Sequence, residues 1–598
     1  MPIPSRYQIT VSDREYKYWT FVDCETQTPK RLTESEILIN PIHYKLFNGD
    51  IVDLSTPIPT IVNSPIRVHS QIPGVLVLEG NQTYGRTDNK KRILYKCIPN
   101  DSKLPAFLVP FNPEIGFSKK PKNRFVIFRF DNWSAKHPHG ILTENLGEVG
   151  DLSAFCEYQL YCRNVHDSNA EFNAAAKKSI KAFPTALETI IGNANYFPNA
   201  KFTHPRIFSI DPVGTADVDD AFSVVQNSPF IATVRVYIAN VYVWLETLDL
   251  WKHMNSTRAS TVYLPDFKRT MIPAILSESR CSLLADGRDH IAFCMEVQIS
   301  LERAAIISHS ILFYNAPIQI ATNHTYESSN LGKDADYLLL RRTTRLLDPN
   351  IEDSHDVVAF WMIQMNTICG KLMNNKGIGI FRRQVSNEDD LEVVDCSMNV
   401  RSSYHTSTPL ADELPLTLPR TTRQLISNWK QHSAQYALYD GLGEAHKLFR
   451  GQNAYVHITS PIRRMVDLLN QIMFQLEFRM IARISDDAIG FVKKWVADLA
   501  RVNDTMKSIR KIQIDCDVLN RCSAHPEWMQ RSHRGITFDR ELKSDGTYSY
   551  MVHLIDLNIL GRVVSREKYV NYQMMEFNVF VFEDADKIQR KIRLCVCD

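Results

Sequence analysis

The chain has 598 residues, 44% of them hydrophobic and 23% charged, with a formal net charge of +2. This composition excludes a fibrous chain, a disordered chain and a disulfide-stapled mini-protein, and the length suggests about three to five domains. The near-neutral total argues against an overall basic nucleic-acid binder. The first residues, MPIPSRYQITVSDREYK, contain no apolar signal region, and no window of 18 uninterrupted apolar residues occurs. The expectation is an intracellular protein without a membrane partner, placed in the cytoplasm with nucleus and organelle left open. The twelve cysteines include no C-x-x-C pair, so they read as reduced core residues.

In chain order, residues 1–71 form a mixed region, open to being a degenerate barrel. Residues 72–152 turn to β texture, with IPGVLVLEG, RILYKC, PAFLVPF and NRFVIFRF separated by Gly, Pro and Asn. They predict a small antiparallel barrel or sandwich. Within them, residues 81–130 carry a net charge of +8. Phe107, Phe111, Phe117, Phe125, Phe128 and Phe130 interleave these charges, and Trp133 follows. Cations with interleaved rings suit single-stranded nucleic acid; the alternative is that the rings are core. Residues 153–198 read as a helical linker, 199–529 as a large α/β body and 530–598 as a second barrel with a Ser544-Asp545-Gly546 hairpin turn. Within the body, 484–512 has the apolar spacing of a helix. The predicted fold is multidomain α+β, with β-barrels flanking a large central α/β body.

The most informative stretch is RIFSIDPVGTADVDDAFSVV, residues 206–225, where Asp211, Asp217, Asp219 and Asp220 fall within ten residues. Apolar, strand-like runs flank them, and Pro212 and Gly214 favour a turn. Carboxylates this close repel, and a hard divalent cation relieves the repulsion; an oxygen-only set suits Mg²⁺ or Mn²⁺. A solvated acidic turn is the alternative. An EF-hand fails, because the positions that need Gly and Glu hold Ala216 and Phe222.

In AYVHITSPIRRMVDLLNQIMFQLEF, residues 454–478, Thr459 or Ser460 suits an N-cap and Pro461 the first helical position. Arg463 and Arg464 then fall in the first turn, where cations oppose the helix dipole unless an anion is near. Phosphate is the obvious anion; an Arg463–Asp467 ion pair is the alternative. Carboxylates, metal and arginine together suggest phosphodiester chemistry, in which two metal ions can serve an in-line displacement.

These residues resemble the ribonuclease II (RNB) family of 3′→5′ exoribonucleases. The resemblance covers roughly residues 70–598 through IDPVGTADVDDAF, RASTVYLP, MIPAILSESRCSLL and HITSPIRRMVDLLNQ. It implies OB-type barrels, a central RNB domain and a C-terminal S1-like barrel. It also implies Mg²⁺-dependent hydrolysis of single-stranded RNA to nucleoside 5′-monophosphates. It assigns Asp211, Asp217, Asp219 and Asp220 to metal binding and catalysis, with Asp219 the most critical. Arg463 is assigned to the scissile phosphate, Tyr263 and Tyr326 to the terminal nucleotide, and Arg464 and Arg258 to RNA contact. A monomer is expected, with a helicase or RNA-decay complex left open as partner. Departures are visible: Tyr237 and Asn240 stand where the family has His and Asp. Ala359 and Phe360 stand where it has a Glu pair before a helix. They motivate a runner-up, an RNA-binding or scaffold protein with little catalysis. Cleavage of DNA is the third reading.

Overall fold

The computed structural model describes residues 6–30, 39–56, 58–87, 91–112, 121–197, 205–256, 258–383, 414–415, 417–433, 435–439 and 454–597. The chain is mixed α+β and divides into two compact units. One comprises residues 1–166, 264–267 and 509–598, and the other 167–263 and 268–508.

Among the described residues, the first unit holds three sheets. Strands Arg6–Val11, Trp19–Asp23, Ile51–Asp53 and Thr60–Asn63 form an open four-stranded antiparallel sheet. Strands Ile72–Leu76, Ile93–Pro99, Phe107–Phe111, Arg124–Asn132 and His139–Glu148 close into a five-stranded barrel, an OB-type arrangement. Its interior takes Phe107 and Phe128 out of solvent entirely, with Trp133 buried in the same cluster, while Phe125 is buried outside that cluster. These rings are core, not a stacking platform: alternation along a strand sends every second side chain inward, whatever charges lie between. Phe117 lies outside the described residues. The last sheet pairs strands His533–Leu542, Tyr548–Leu554, Ile559–Ser565, Met574–Asp584 and Gln589–Val596. Its first hairpin turns where expected, with Gly546 at φ +80, a conformation that costs glycine little.

The segment expected to be a helical linker is packed structure. Helix Leu152–Cys162, capped by the Asp151 carboxylate on the Ser153 N–H, stacks Tyr158 on Phe125 of the barrel at 4.3 Å. Helices Ala170–Ala182 and Ala186–Ile191 instead give Phe172, Ala176, Ala186 and Ile190 to the core of the second unit. The apolar spacing of 484–512 is that of two helices, Asp486–Ala497 and Leu499–Ala524. They break at Asp498, where the backbone leaves the helical region.

The second unit is built on a seven-stranded sheet. Ala305–Ile306, His290–Ser300, Ile231–Ala239, Asp220–Gln226, Ile207–Asp211 and Ile320–Thr325 lie in that order, and Leu312–Ile318 also pairs with His290–Ser300. Most pairs are antiparallel; Ile207–Asp211 runs parallel to Ile320–Thr325 and sets Asp211 beside Thr325. One face packs under helix Met465–Glu477, and the other under helices Ala335–Leu347 and Ser354–Lys376. Both faces are covered, which is why strands such as IFSI and AFSVV are apolar throughout.

Candidate active site

Strands Ile207–Asp211 and Asp220–Gln226 are buried along most of their length and carry Asp211 and Asp220 at their facing ends. The connection 212–219 is fixed at several points. Thr215 N–H bonds the Pro212 carbonyl, and Gly214 sits at φ +81 with open space around it. Val218, fully packed, donates its N–H to Ser282 Oγ at 2.9 Å, while that hydroxyl donates to the Ala216 carbonyl at 2.8 Å. The Asp219 carbonyl accepts from Ala239 N–H at 2.8 Å. The acidic turn is therefore not a free surface loop: Asp217, Asp219 and Asp220 are all buried.

Each carboxylate meets a different environment. Asp211 Oδ2 accepts from Ser209 Oγ at 2.7 Å. Asp217 Oδ1 accepts from Lys268 Nζ at 2.8 Å, and its Oδ2 lies 3.5 Å from the Tyr263 hydroxyl. Asp219 Oδ1 accepts the Ile462 N–H at 2.9 Å, and its Oδ2 is 3.1 Å from Arg463 Nε. Asp220 Oδ2 is buried with no hydrogen-bond partner. Burial pushes Asp219 up to about 7, against the pull of Arg463 and the Ile462 N–H. Burial likewise lifts Asp211 to about 6, opposed by Ser209 and Arg463 and aided by Asp217. Asp220 is held well above the usual carboxylate range, by burial and then by the charges of Asp211 and Asp219. The group is short of positive charge.

Arg463 is brought to the carboxylates by a segment that is not helical. The helix spans Met465–Glu477, with Arg464 in extended backbone just before it, four residues later than the Ser-Pro signal predicts. Ser460 N–H is taken by the buried Asp467 carboxylate at 2.8 Å. The Arg463 carbonyl accepts from Thr261 N–H and Ser260 Oγ, both at 2.9 Å. Those bonds hold 461–464 off the helix. The ion pair to Asp467 is made by Arg464, at 2.9 Å, and not by Arg463. Arg463 thus sets its Nε against Asp219 and donates Nη2 to Ser460 Oγ at 3.2 Å, while its side chain stays 44% exposed.

Tyr263, 42% exposed, stands beside Asp217, and its strand Val262–Tyr263 pairs with Lys268–Arg269. Tyr326 follows the strand that parallels Asp211 and donates its N–H to the Asp211 carbonyl at 3.2 Å. The ring of Tyr326 is stacked on His355, centroids 3.8 Å apart and planes 10° off parallel. Burial and the nearby Asp220 and Asp211 raise its hydroxyl above the ordinary range. The structure thus gathers Asp211, Asp217, Asp219, Asp220, Arg463, Tyr263 and Tyr326. Arg258 is spent otherwise: it is buried and its guanidinium donates to the carbonyls of Thr270 and Asp167. Arg464 is likewise committed to Asp467 and Ser460.

The positions that depart from the family pattern have structural employment. Tyr237 shares a hydrogen bond with Ser223 at 2.9 Å inside the sheet. Asn240 Nδ2 donates to Asn315 Oδ1 and Gln475 Oε1, each at 3.0 Å, and Asn315 Nδ2 reaches the same Gln475 oxygen at 2.8 Å. Ala359 and Phe360 lie inside helix Ser354–Lys376 and not before it; Ala359 faces out and Phe360 is core. One turn earlier the same helix presents His355 to Tyr326. Sequence reading missed His355, Lys268 and Ser282. Ser282 and Lys268 lie 64 and 51 residues from their partners, so no local spacing marks them.

A metal ion is testable against this donor set. The oxygens are hard, the unpartnered Asp220 Oδ2 is buried, and the raised carboxylates need a cation; all three fit a divalent ion. Among the described residues, no three acidic, His or Cys side chains already converge on one point. Lys268 and Arg463 each hold one carboxylate, which leaves Asp211 and Asp220 as the open pair.

Comparison with known proteins finds related sequences and folds. The RNB domain model matches residues 200–333 and 333–478, and the Dis3-like cold-shock domain 2 (CSD2) model matches 94–161. The exosome complex exonuclease RRP44 of Mus musculus is 23% identical over 557 residues, spanning 84% of this chain and 54% of that protein. Ribonuclease R of Helicobacter pylori is 24% identical over 327 residues, 46% of this chain and 49% of that protein. The chain thus spans about half the length of these curated relatives. Among solved structures, Mycoplasma genitalium RNase R in complex with ribose methylated single-stranded RNA has the same fold. The TM-score is 0.67 at 14% identity, covering 99% of this chain and 100% of that one. Yeast Ssd1, described as a pseudonuclease, shares the fold at TM-score 0.52 and 13% identity, covering 94% of this chain and 78% of that one.

Proposed function

We propose that the chain, which the RNB domain model matches over residues 200–333 and 333–478, is an RNB-family 3′→5′ exoribonuclease. It hydrolyses single-stranded RNA to nucleoside 5′-monophosphates with Mg²⁺, or Mn²⁺ in its place. The observation that carries this reading is the pair of Asp219 and Arg463. A buried carboxylate raised to about 7 lies against a half-exposed guanidinium, next to a buried carboxylate oxygen with no partner.

Asp211, Asp220 and Asp219 would hold the ion. When bound, a divalent ion supplies Lewis acidity and neutralises charge on the phosphodiester. The residues of the chain do the rest. The Arg463 guanidinium, held at Asp219 through Nε and at the Ser460 hydroxyl through Nη2, would offset charge developing on the scissile phosphate. Tyr263 and Tyr326 offer rings to the terminal nucleoside, and the packed walls around the carboxylates keep bulk water from them. A 5′-labelled RNA with a single-stranded 3′ tail tests this. Mononucleotide release should require Mg²⁺ and vanish in EDTA and in Asp219→Asn; release that persists in either refutes the metal reading.

One observation favours the runner-up, an RNA-binding protein with little catalysis. Two of the four carboxylates are already paired to protein cations, and a protein described as a pseudonuclease has this fold. That reading predicts salt-sensitive RNA binding with no Mg²⁺-dependent release. Association with an RNA-decay complex belongs to the proposal, since the name of RRP44 places that protein in an exosome complex, and it is tested by co-purification.

A further inference from the structure

Asp217 differs from its neighbours in being fully engaged. Lys268 Nζ sits 2.8 Å from its Oδ1 and 2.7 Å from Glu278 Oε1. The other oxygen of Asp217 faces the Tyr263 hydroxyl at 3.5 Å. The position of Lys268 is set by backbone: Tyr263 and Lys268 are cross-strand partners, and Glu278 projects from the helical turn Leu276–Arg280. The ammonium is only a quarter exposed and Asp217 is nearly sealed. An ammonium hydrogen-bonded to two carboxylates is a strong, well-oriented charge pair. It lies where a second cation on Asp217 would have to lie, and it repels one.

Two-ion centres place their ions about 4 Å apart, and each needs its own anionic ligands. Here the anionic ligands divide unequally. Asp220 Oδ2 is buried without a hydrogen-bond partner and Asp211 accepts from the neutral Ser209 hydroxyl, whereas Asp219 faces Arg463. Asp217 has a cation built into the chain.

We propose that Lys268 takes the place of a second divalent ion, so that the centre binds one ion and Asp217 acts as a positioning residue for the Tyr263–Lys268 strand pair. This rests on the metal-dependent reading above and specifies its stoichiometry. The Arg463 side of the cluster then carries the ion, and the Lys268 side carries the nucleotide-facing tyrosine.

The test is Mn²⁺ binding to the full chain, read by electron paramagnetic resonance and titration calorimetry without RNA. Wild type should take one Mn²⁺ per chain. Lys268→Met should take two, and so should Lys268→Gln, which keeps a donor without the charge. Lys268→Arg, which keeps the cation, should remain at one. Two ions in the wild type overturn the proposal without any variant, as does a single ion in a folded Lys268→Met or Lys268→Gln. Asp220→Asn separates the two claims. If it binds Mn²⁺ as wild type does, the metal reading itself fails; if it loses the ion while Lys268→Met stays at one, only the role of Lys268 fails.

Discussion

Stripped of divalent ions, the protein should lose stability as pH rises from about 4 to about 7, and Asp219 should account for much of the loss. Its carboxyl is raised from an ordinary 3.8 to about 7. Between those values the native state keeps a proton that the unfolded chain has released. The native state therefore binds more protons, and stability falls with rising pH. The contribution is complete below the unfolded value and gone above the folded one. A rise of about three units at ~1.4 kcal/mol each corresponds to about 4 kcal/mol. The assay is urea unfolding in EDTA at steps from pH 4.5 to 8, comparing wild type with Asp219→Asn. The variant carries no charge to bury, so the difference between the two isolates this carboxyl from other titrations. Asp219→Asn should overtake wild type as pH climbs, by roughly that figure at pH 8, and added Mg²⁺ should restore the wild type. A difference that stays flat across the range, or changes the other way, refutes the claim that burial governs Asp219.

Three further outcomes follow from the contacts. Arg463→Lys keeps the charge but loses the planar fork that pairs Nε with Asp219, so single-turnover RNA cleavage should slow by about 10²-fold or more with little change in RNA binding. His355→Ala uncovers one face of Tyr326. Since a stacked base is worth about 1–3 kcal/mol, RNA affinity by fluorescence anisotropy should change by about tenfold while the single-turnover rate holds. Asn240→Asp removes the amide donor to Asn315 and Gln475 inside a sealed site; it should cost about 3 kcal/mol in urea unfolding, with no gain in Mg²⁺-dependent activity.

The hairpin around the carboxylates was readable because every local signal agrees. Apolar runs on both sides demand burial, Gly214 and Pro212 demand a turn, and the acids between them have nowhere to go but inward. The start of the arginine helix was misread because Ser460 and Pro461 carry good capping chemistry that tertiary structure overrides. The Ser460 hydroxyl that would cap the helix accepts from the Arg463 and Arg464 guanidiniums, and Thr261 and Ser260 hold the Arg463 carbonyl, with Arg464 in extended backbone. The barrel phenylalanines were ambiguous for a different reason. A ring between two lysines has the same sequence whether it points into a core or out to a base, and only closure of the five strands decides. Lys268, Ser282 and His355 could not be read at all, since each acts through a partner brought near by the sheet and its covering helices.

The buried amides of Asn240, Asn315 and Gln475 bear on anyone who would graft this centre elsewhere. They join the end of one sheet strand, the middle of another and the last turn of the Met465–Glu477 helix through a shared oxygen. Because the two carboxylate strands hang from that sheet and Arg463 from that helix, the acids and the guanidinium are machined as a single casting. A transplanted loop 206–225 would arrive without its arginine, and a transplanted helix without its acids. Lineages of this protein should therefore exchange the three amides in concert or not at all.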